Sequence, residues 1–255
     1  FIEFLLVLFV SSIAACQTKV AIMYGSGAGL QYKDEQVDVI ASLGWQQDLF
    51  QNTQANELAS KLGNYNIVIL NTLFNLEGPQ DLSILGAKLH DFVAAGGCLV
   101  VTDINYDRQS NWLRTIDSGL IWRSTGKLSN NEFQSAPWVN SDHPLMAGVE
   151  TPKLAWTYPE YTGNGLTILA KYPNGRPAIG VMELGKGVIV LSNSYRQQGW
   201  PSAAFLTNFL KWTKDSDRIK AVEERDAVIK TRGENPPTLN VPVLSNAPKI
   251  DGNFD

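Results

Sequence analysis

Asp103, Asn105 and Asp107 place three oxygen-bearing side chains at alternate positions, as the opening of a calcium loop does. A loop of the EF-hand type also needs Gly at its sixth position and Glu at its twelfth. Arg108 and Arg114 stand there instead, so that reading fails. Gly25-Ser26-Gly27-Ala28-Gly29 follows an apolar run and has two of the three glycines of a dinucleotide loop. Its last Gly comes one position early, and Asp48 lies within or before the second strand rather than at its end. A glycine turn that lets the chain leave a sheet explains the segment better. With two Cys and two His, the chain cannot build a zinc cluster or a disulfide framework. Neither a metal nor a cofactor is expected.

Aromatic residues suggest another chemistry. There are seven Trp, and Trp112, Trp122, Trp138, Trp156 and Trp200 mostly fall in stretches that read as loops after strands. Flat ring faces beside Asp, Asn or Arg can bind sugar rings by apolar stacking and hydrogen bonds. The competing account has each Trp filling core beneath a long loop. Glu160 with Asp142 or Asp103 could form a glycosidase pair, but sequence spacing does not test the separation such a pair needs.

These residues need elements to position them. Lys19–Gly25, Gln46–Phe50, Asn66–Asn71 and Cys98–Asp103 read as strands, the second of them short. Between them, Tyr32–Leu43, Ala55–Leu62 and a segment opened by Pro79 carry apolar residues at helical spacing. Leu82, Leu85, Leu89, Phe92 and Val93 share one face of the last, and Gly96-Gly97 ends it. The alternation predicts an α/β fold with a parallel sheet and helices on both faces. The second half reads richer in hairpins, with strands over Leu166–Lys171, Pro177–Leu184 and Gly187–Ser192, then an amphipathic helix over Phe205–Trp212. At 44% hydrophobic and 18% charged residues, the 255-residue chain can bury a sizeable core. Its net charge of −4 gives nucleic-acid binding little electrostatic support.

The ends differ from the middle. Phe1–Ala15 is an apolar run closing on small residues, too short to span a bilayer, which takes about 20 residues. It reads as an export signal over 1–16. Ile13-Ala14-Ala15-Cys16 resembles a bacterial lipobox, which would make Cys16 a lipid anchor to the membrane; a plain signal peptide and a buried first strand are the alternatives. The domain expected over 17–214 is followed at 215–240 by a charged helix and the linker Pro236-Pro237. Over 241–255, the stretch Ala247–Asp255 resembles the opening of family 9-like carbohydrate-binding modules, with a plain tail as the alternative.

Three segments carry a wider resemblance: Leu89–Asp103, Asp142–Val149 and Gly185–Ser192. In their order the chain resembles the class I glutamine amidotransferase-like fold, in the branch near the trehalose-utilisation (ThuA-like) proteins, over about Lys19–Lys214. The resemblance implies a flavodoxin-like three-layer parallel sheet. It also implies a nucleophilic Cys on the turn at Asp103–Tyr106 and a His near Ser192–Tyr195, and neither is present. Cys98 falls about five residues early. We therefore expect no amidotransferase reaction, and an exported domain of a modular protein that recognises or helps to process carbohydrate. Asp103, Asn105, Asp107, Trp112, His143 and Tyr195 are the first candidates for ligand contact. The alternatives are a carbohydrate-active hydrolase or isomerase using Asp/Glu and His143, and a scaffold domain with no ligand.

Overall fold

The computed structural model describes residues 17–25, 28–71, 82–102, 111–118, 120–124, 130–156, 159–163, 165–192, 194 and 196–234. Its first half alternates β1 (Lys19–Tyr24), α1 (Ala28–Ser42), β2 (Gln46–Gln51), α2 (Ala55–Lys61), β3 (Ile67–Leu70), α3 (Leu82–Ala94) and β4 (Cys98–Val101). Short antiparallel pieces follow: β5 (Leu120–Ser124), β6 (Asn130–Ser135), β7 (Lys153–Trp156), β8 (Pro159–Gly163) and β9 (Thr167–Lys171). Then come β10 (Pro177–Leu184), β11 (Gly187–Ser192), β12 (Arg196–Gln198), α4 (Ala203–Thr213) and α5 (Ser216–Glu234).

Seven strands form one sheet in the order β2-β1-β3-β4-β11-β10-β9. From β2 to β11 all neighbours are parallel, and β10 and β9 add an antiparallel edge. β3, β4 and β11 are buried along their whole length, as apolar strands covered on both faces must be. Alternate residues serve opposite faces. Val20, Ile22, Ile69 and Val100 pack with Ile40 of α1 and with Phe205 and Phe209 of α4. Ala21, Met23, Leu70 and Val101 pack with Leu58 of α2 and with Leu85 and Leu89 of α3. The result is a three-layer α/β architecture, with a flavodoxin-like strand order in its parallel part. The late helix and the hairpin read from the sequence are present. β5–β8, β6–β7 and β12 are additions to that reading, made of short segments that pair outside the main sheet.

The end of α3 organises the sheet's centre. Gly96 takes φ 112°, its N–H bonds Val93 O at 2.8 Å, and Gly97 N bonds Phe92 O at 3.0 Å, closing a Schellman cap. The β10–β11 turn then lies directly on that cap: Lys186 N donates to Ala94 O at 2.9 Å and Val188 N to Gly97 O at 3.2 Å. Only a glycine fits at the contact, because a Cβ on Gly187 would sit 1.9 Å from Val93 O.

α5 is charged, yet its first turns dock on the domain. Arg218 donates from Nη2 to Lys186 O (2.6 Å) and from Nε to Trp212 O (3.1 Å), and its guanidinium lies 5.1 Å from the Trp212 ring centre. Lys186 pairs with Glu223 at 2.7 Å and Arg225 with Glu183 at 3.2 Å. The later turns, with Val228 and Ile229, are exposed. Among the described residues no helix is long and apolar enough to cross a membrane.

Gly187→Ala should lower stability by about 1–3 kcal/mol, since the methyl cannot be placed without moving α3 from the hairpin. Urea unfolding measures it. An unchanged midpoint would mean that the two segments are not in this contact.

Candidate functional site

In open α/β sheets, ligands bind outside the carboxyl ends of the strands, where neighbouring connections diverge to opposite faces. Here that point lies between β1 and β3, whose following helices α1 and α3 cover opposite faces. The residues that leave the strands at this edge are Gly25 after β1, Asn71 after β3, Thr102 after β4 and Ser192 at the end of β11. Three of the four are polar, and Asn71, Thr102 and Ser192 are all buried.

Burial of an amide or hydroxyl costs free energy unless it is hydrogen-bonded, so this edge is internally bonded. Gln36, from α1, is also buried; its Nε2 donates to Asn71 Oδ1 at 2.8 Å, and Asn71 Nδ2 donates back to Gln36 Oε1. The Thr102 hydroxyl donates to the same Asn71 oxygen at 2.5 Å. One uncharged network thus ties α1 to the ends of β3 and β4. Beside it the indole N–H of buried Trp200 donates to Ser192 Oγ at 2.7 Å, and buried Ser194 follows. At the rim, Gly199 N donates to Glu35 of α1 at 3.2 Å, joining the chain after β12 to the same helix.

The described residues on either side of 103–110 are fixed. Thr102 is held by Asn71. On the far side, Leu113 and Ile116 are buried against the α2–α3 face, and His90 Nδ1 donates to Ile116 O at 2.6 Å. That bond places the imidazole proton on Nδ1, since a carbonyl only accepts. Asp103, Asn105 and Asp107 lie outside the described residues, as do Tyr195 and Cys16. Trp112 sits within the 3-10 turn.

His143 is placed elsewhere. Its Nδ1 accepts from Leu145 N at 3.3 Å, capping the 3-10 turn Pro144–Met146, and its ring packs edge-on against Trp212, 4.7 Å between centres. Trp212 ends α4 beside Thr213, whose hydroxyl accepts from Cys98 Sγ at 3.2 Å. Cys98 opens β4, so His143 and Cys98 belong to the amino-terminal edge of the sheet, opposite Thr102. Burial pushes the Cys98 thiol up to about 12, opposite to what a nucleophile requires. Among the described residues no three His, Cys, Asp or Glu side chains gather to hold a metal.

The tryptophans divide. Trp200 is buried between Trp138 (ring centres 6.0 Å) and Phe205 (4.4 Å), and Trp138 Nε1 donates to Val149 O at 3.1 Å. These two are core. Trp122 lies in β5 and Trp156 in β7 rather than in loops. Gln36, Asn71, Thr102, Ser192 and Ser194 are the site residues that sequence reading passed over. For Asn71, Thr102 and Ser192 the signal is a polar residue terminating an apolar strand, as in Ile67–Asn71, Leu99–Thr102 and Val188–Ser192; Gln36 and Ser194 carry no such signal.

Two outcomes follow from these geometries. Asn71→Leu removes the acceptor shared by Gln36 and Thr102 and should cost about 1–3 kcal/mol in urea unfolding; a neutral result would show that the network contributes nothing. His143 is held below its ordinary pKa by burial, against a smaller opposing pull from Glu183. As pH falls below about 6.5 the unfolded chain takes up the proton first, so stability is full above that value and declines beneath it. His143→Asn keeps a capping side chain and should flatten this part of the stability–pH curve. A slope unchanged in the variant would assign the effect to another group.

No family model matches the chain, and no curated protein matches its sequence. Solved structures do match. Two cytoplasmic proteins of Salmonella typhimurium superpose with TM-scores of 0.54 and 0.55 at 14% and 16% identity. The first pairs 76% of this chain with 98% of its own, the second 78% with 100%. A glutamine amidotransferase of Thermotoga maritima gives a TM-score of 0.53 at 10% identity, over 84% of this chain and 94% of that one. At such identities the likeness concerns architecture alone: the chain has the class I glutamine amidotransferase-like, flavodoxin-like fold.

Proposed function

We propose that this domain is a non-amidotransferase member of its fold, on the ThuA-like side, that recognises carbohydrate at the carboxyl edge of its sheet. The observation that carries the reading is the buried, uncharged network of Gln36, Asn71 and Thr102 at the β1/β3 divergence. It supplies a rigid floor of amides and hydroxyls, with neither a thiol nor an imidazole among the described residues there. The floor itself is buried and spends its hydrogen bonds internally. Neutral polyhydroxylated ligands are recognised by exposed hydrogen-bonding groups together with a flat apolar face, and the residues that follow the floor in sequence would supply both. Asp103, Asn105, Asp107 and Trp112, on the stretch that leaves this floor, are the proposed contacts, with Tyr195 on the neighbouring connection.

Export through residues 1–16, anchoring at Cys16, and a carbohydrate-binding module opening at 241–255 belong to the same proposal, which places the domain in a modular envelope protein. The position of His143 against Trp212 weighs against a hydrolase that joins it to Asp103. A second reading, a rigid scaffold, has one observation in its favour: the Arg218 clamp that holds α5 to the β10–β11 hairpin.

Calorimetry with a panel of neutral oligosaccharides, using the full chain, distinguishes the two. The binding reading expects saturable heats that Asp103→Ala or Trp112→Ala weakens at least tenfold, about 1.4 kcal/mol, with no glutamine hydrolysis and no effect of Cys98→Ala. Silence across the panel would leave the scaffold reading.

A further inference from the structure

The opposite edge of the sheet carries a cleft that the carbohydrate reading does not use. It has a volume of about 480 Å³ and lies between α2, the end of α3 and the end of α4. That volume is within the range of small-molecule sites, about 300–1,000 Å³. Its walls are apolar where Leu62, Phe92 and Leu210 face it. The floor exists because position 97 has no side chain: a Cβ on Gly97 would lie 2.4–2.6 Å from the atoms of the Phe92 ring, which rests on that glycine.

The rim is charged in a specific way. Around this edge, lysines are paired: Lys19 with Asp48 at 2.7 Å, Lys61 with Glu57 at 2.6 Å and Lys186 with Glu223 at 2.7 Å. Lys88 and Lys214, which both line the cleft, are in no ion pair among the described residues. Asp91 is the single carboxylate on the lining, so the rim carries a net charge of +1. The neighbouring phenol is committed, since Tyr65 donates to Asp48 at 2.7 Å. Two ammonium groups above an apolar floor complement a ligand with an anionic head and a flat apolar body.

We propose that this cleft is a binding site for a small organic anion, a carboxylate or phosphate ester carrying an apolar ring, with Lys88 and Lys214 holding the anionic group and Phe92 the ring. It lies at the amino-terminal edge of β3 and β4, opposite the Thr102 edge.

The probe is 8-anilinonaphthalene-1-sulfonate, an aromatic anion, titrated by fluorescence into the full chain and competed with phenyl phosphate, benzoate or neutral phenyl glucoside. The expected result is saturable binding of one probe per chain, displaced by the two anions and not by the glucoside. Two variants locate it: K88E/K214E reverses the rim charge, and S60W fills the mouth from the exposed side. Each should weaken the probe at least tenfold while circular dichroism melting stays within a few degrees of the parent. Displacement by phenyl phosphate alone identifies the phosphate-ester arm, and by benzoate alone the carboxylate arm. Non-saturable fluorescence, affinity unchanged in both folded variants, or equal displacement by the glucoside would overturn the proposal.

Discussion

A backbone contact that admits no side chain sets the centre of this fold. α3 ends in a glycine cap, and the β10–β11 turn lies on that cap with Gly187 against the Val93 carbonyl. The approach carries β11 into register beside β4, Val188 opposite Cys98, and so determines which strand becomes the fifth parallel member. The two faces of β11 then complete both apolar layers, Val190 toward α4 and Ile189 toward α3. Without a close contact there, the hairpin would have no hydrogen-bonded seat on α3. The clamp of α5 also depends on it, because Lys186 offers its carbonyl to Arg218 from within the same turn.

The sheet positioned in this way has two edges of different chemistry. At its carboxyl edge the buried groups are neutral and share their hydrogen bonds, which ties α1 to the ends of β3 and β4 without fixed charge. At its amino edge the chain places Cys98, His143, Arg218 and several lysines. Cys98 and His143 are the residue types that a thiol amidotransferase needs, but they stand at the wrong end of the strands. Cys98 is sealed beneath α4, and His143 is engaged as a cap and packed on an indole. A thiol buried and bonded in this way is kept protonated.

Much of the architecture was legible along the chain. Apolar runs of four to six residues, closed by glycine or a polar residue and separated by helical periods, indicate buried parallel strands because both faces must be covered. The glycines at 96–97 and 185–187 were legible as two turns. Their meeting was not, since that contact joins residues about ninety positions apart. β6, with Asn130–Ser135, and the three-residue β12 escaped in the same way: their pairing rests on partners distant in sequence rather than on their own composition. The same holds at the candidate site, where a Gln in α1 meets an Asn 35 residues later.

The sequence alone determined the α/β class and the order of helices and strands in the first half. These follow from local periodicity, which is a linear property. Only the tertiary structure decided that Trp200 is core with Trp138 packed on it, that His143 and Thr102 occupy opposite edges, and that Gln36, Asn71 and Thr102 form one floor. Side-chain burial and hydrogen-bond partnership depend on distances across the sheet, and the strand order that sets those distances is written in contacts, not in neighbours along the chain.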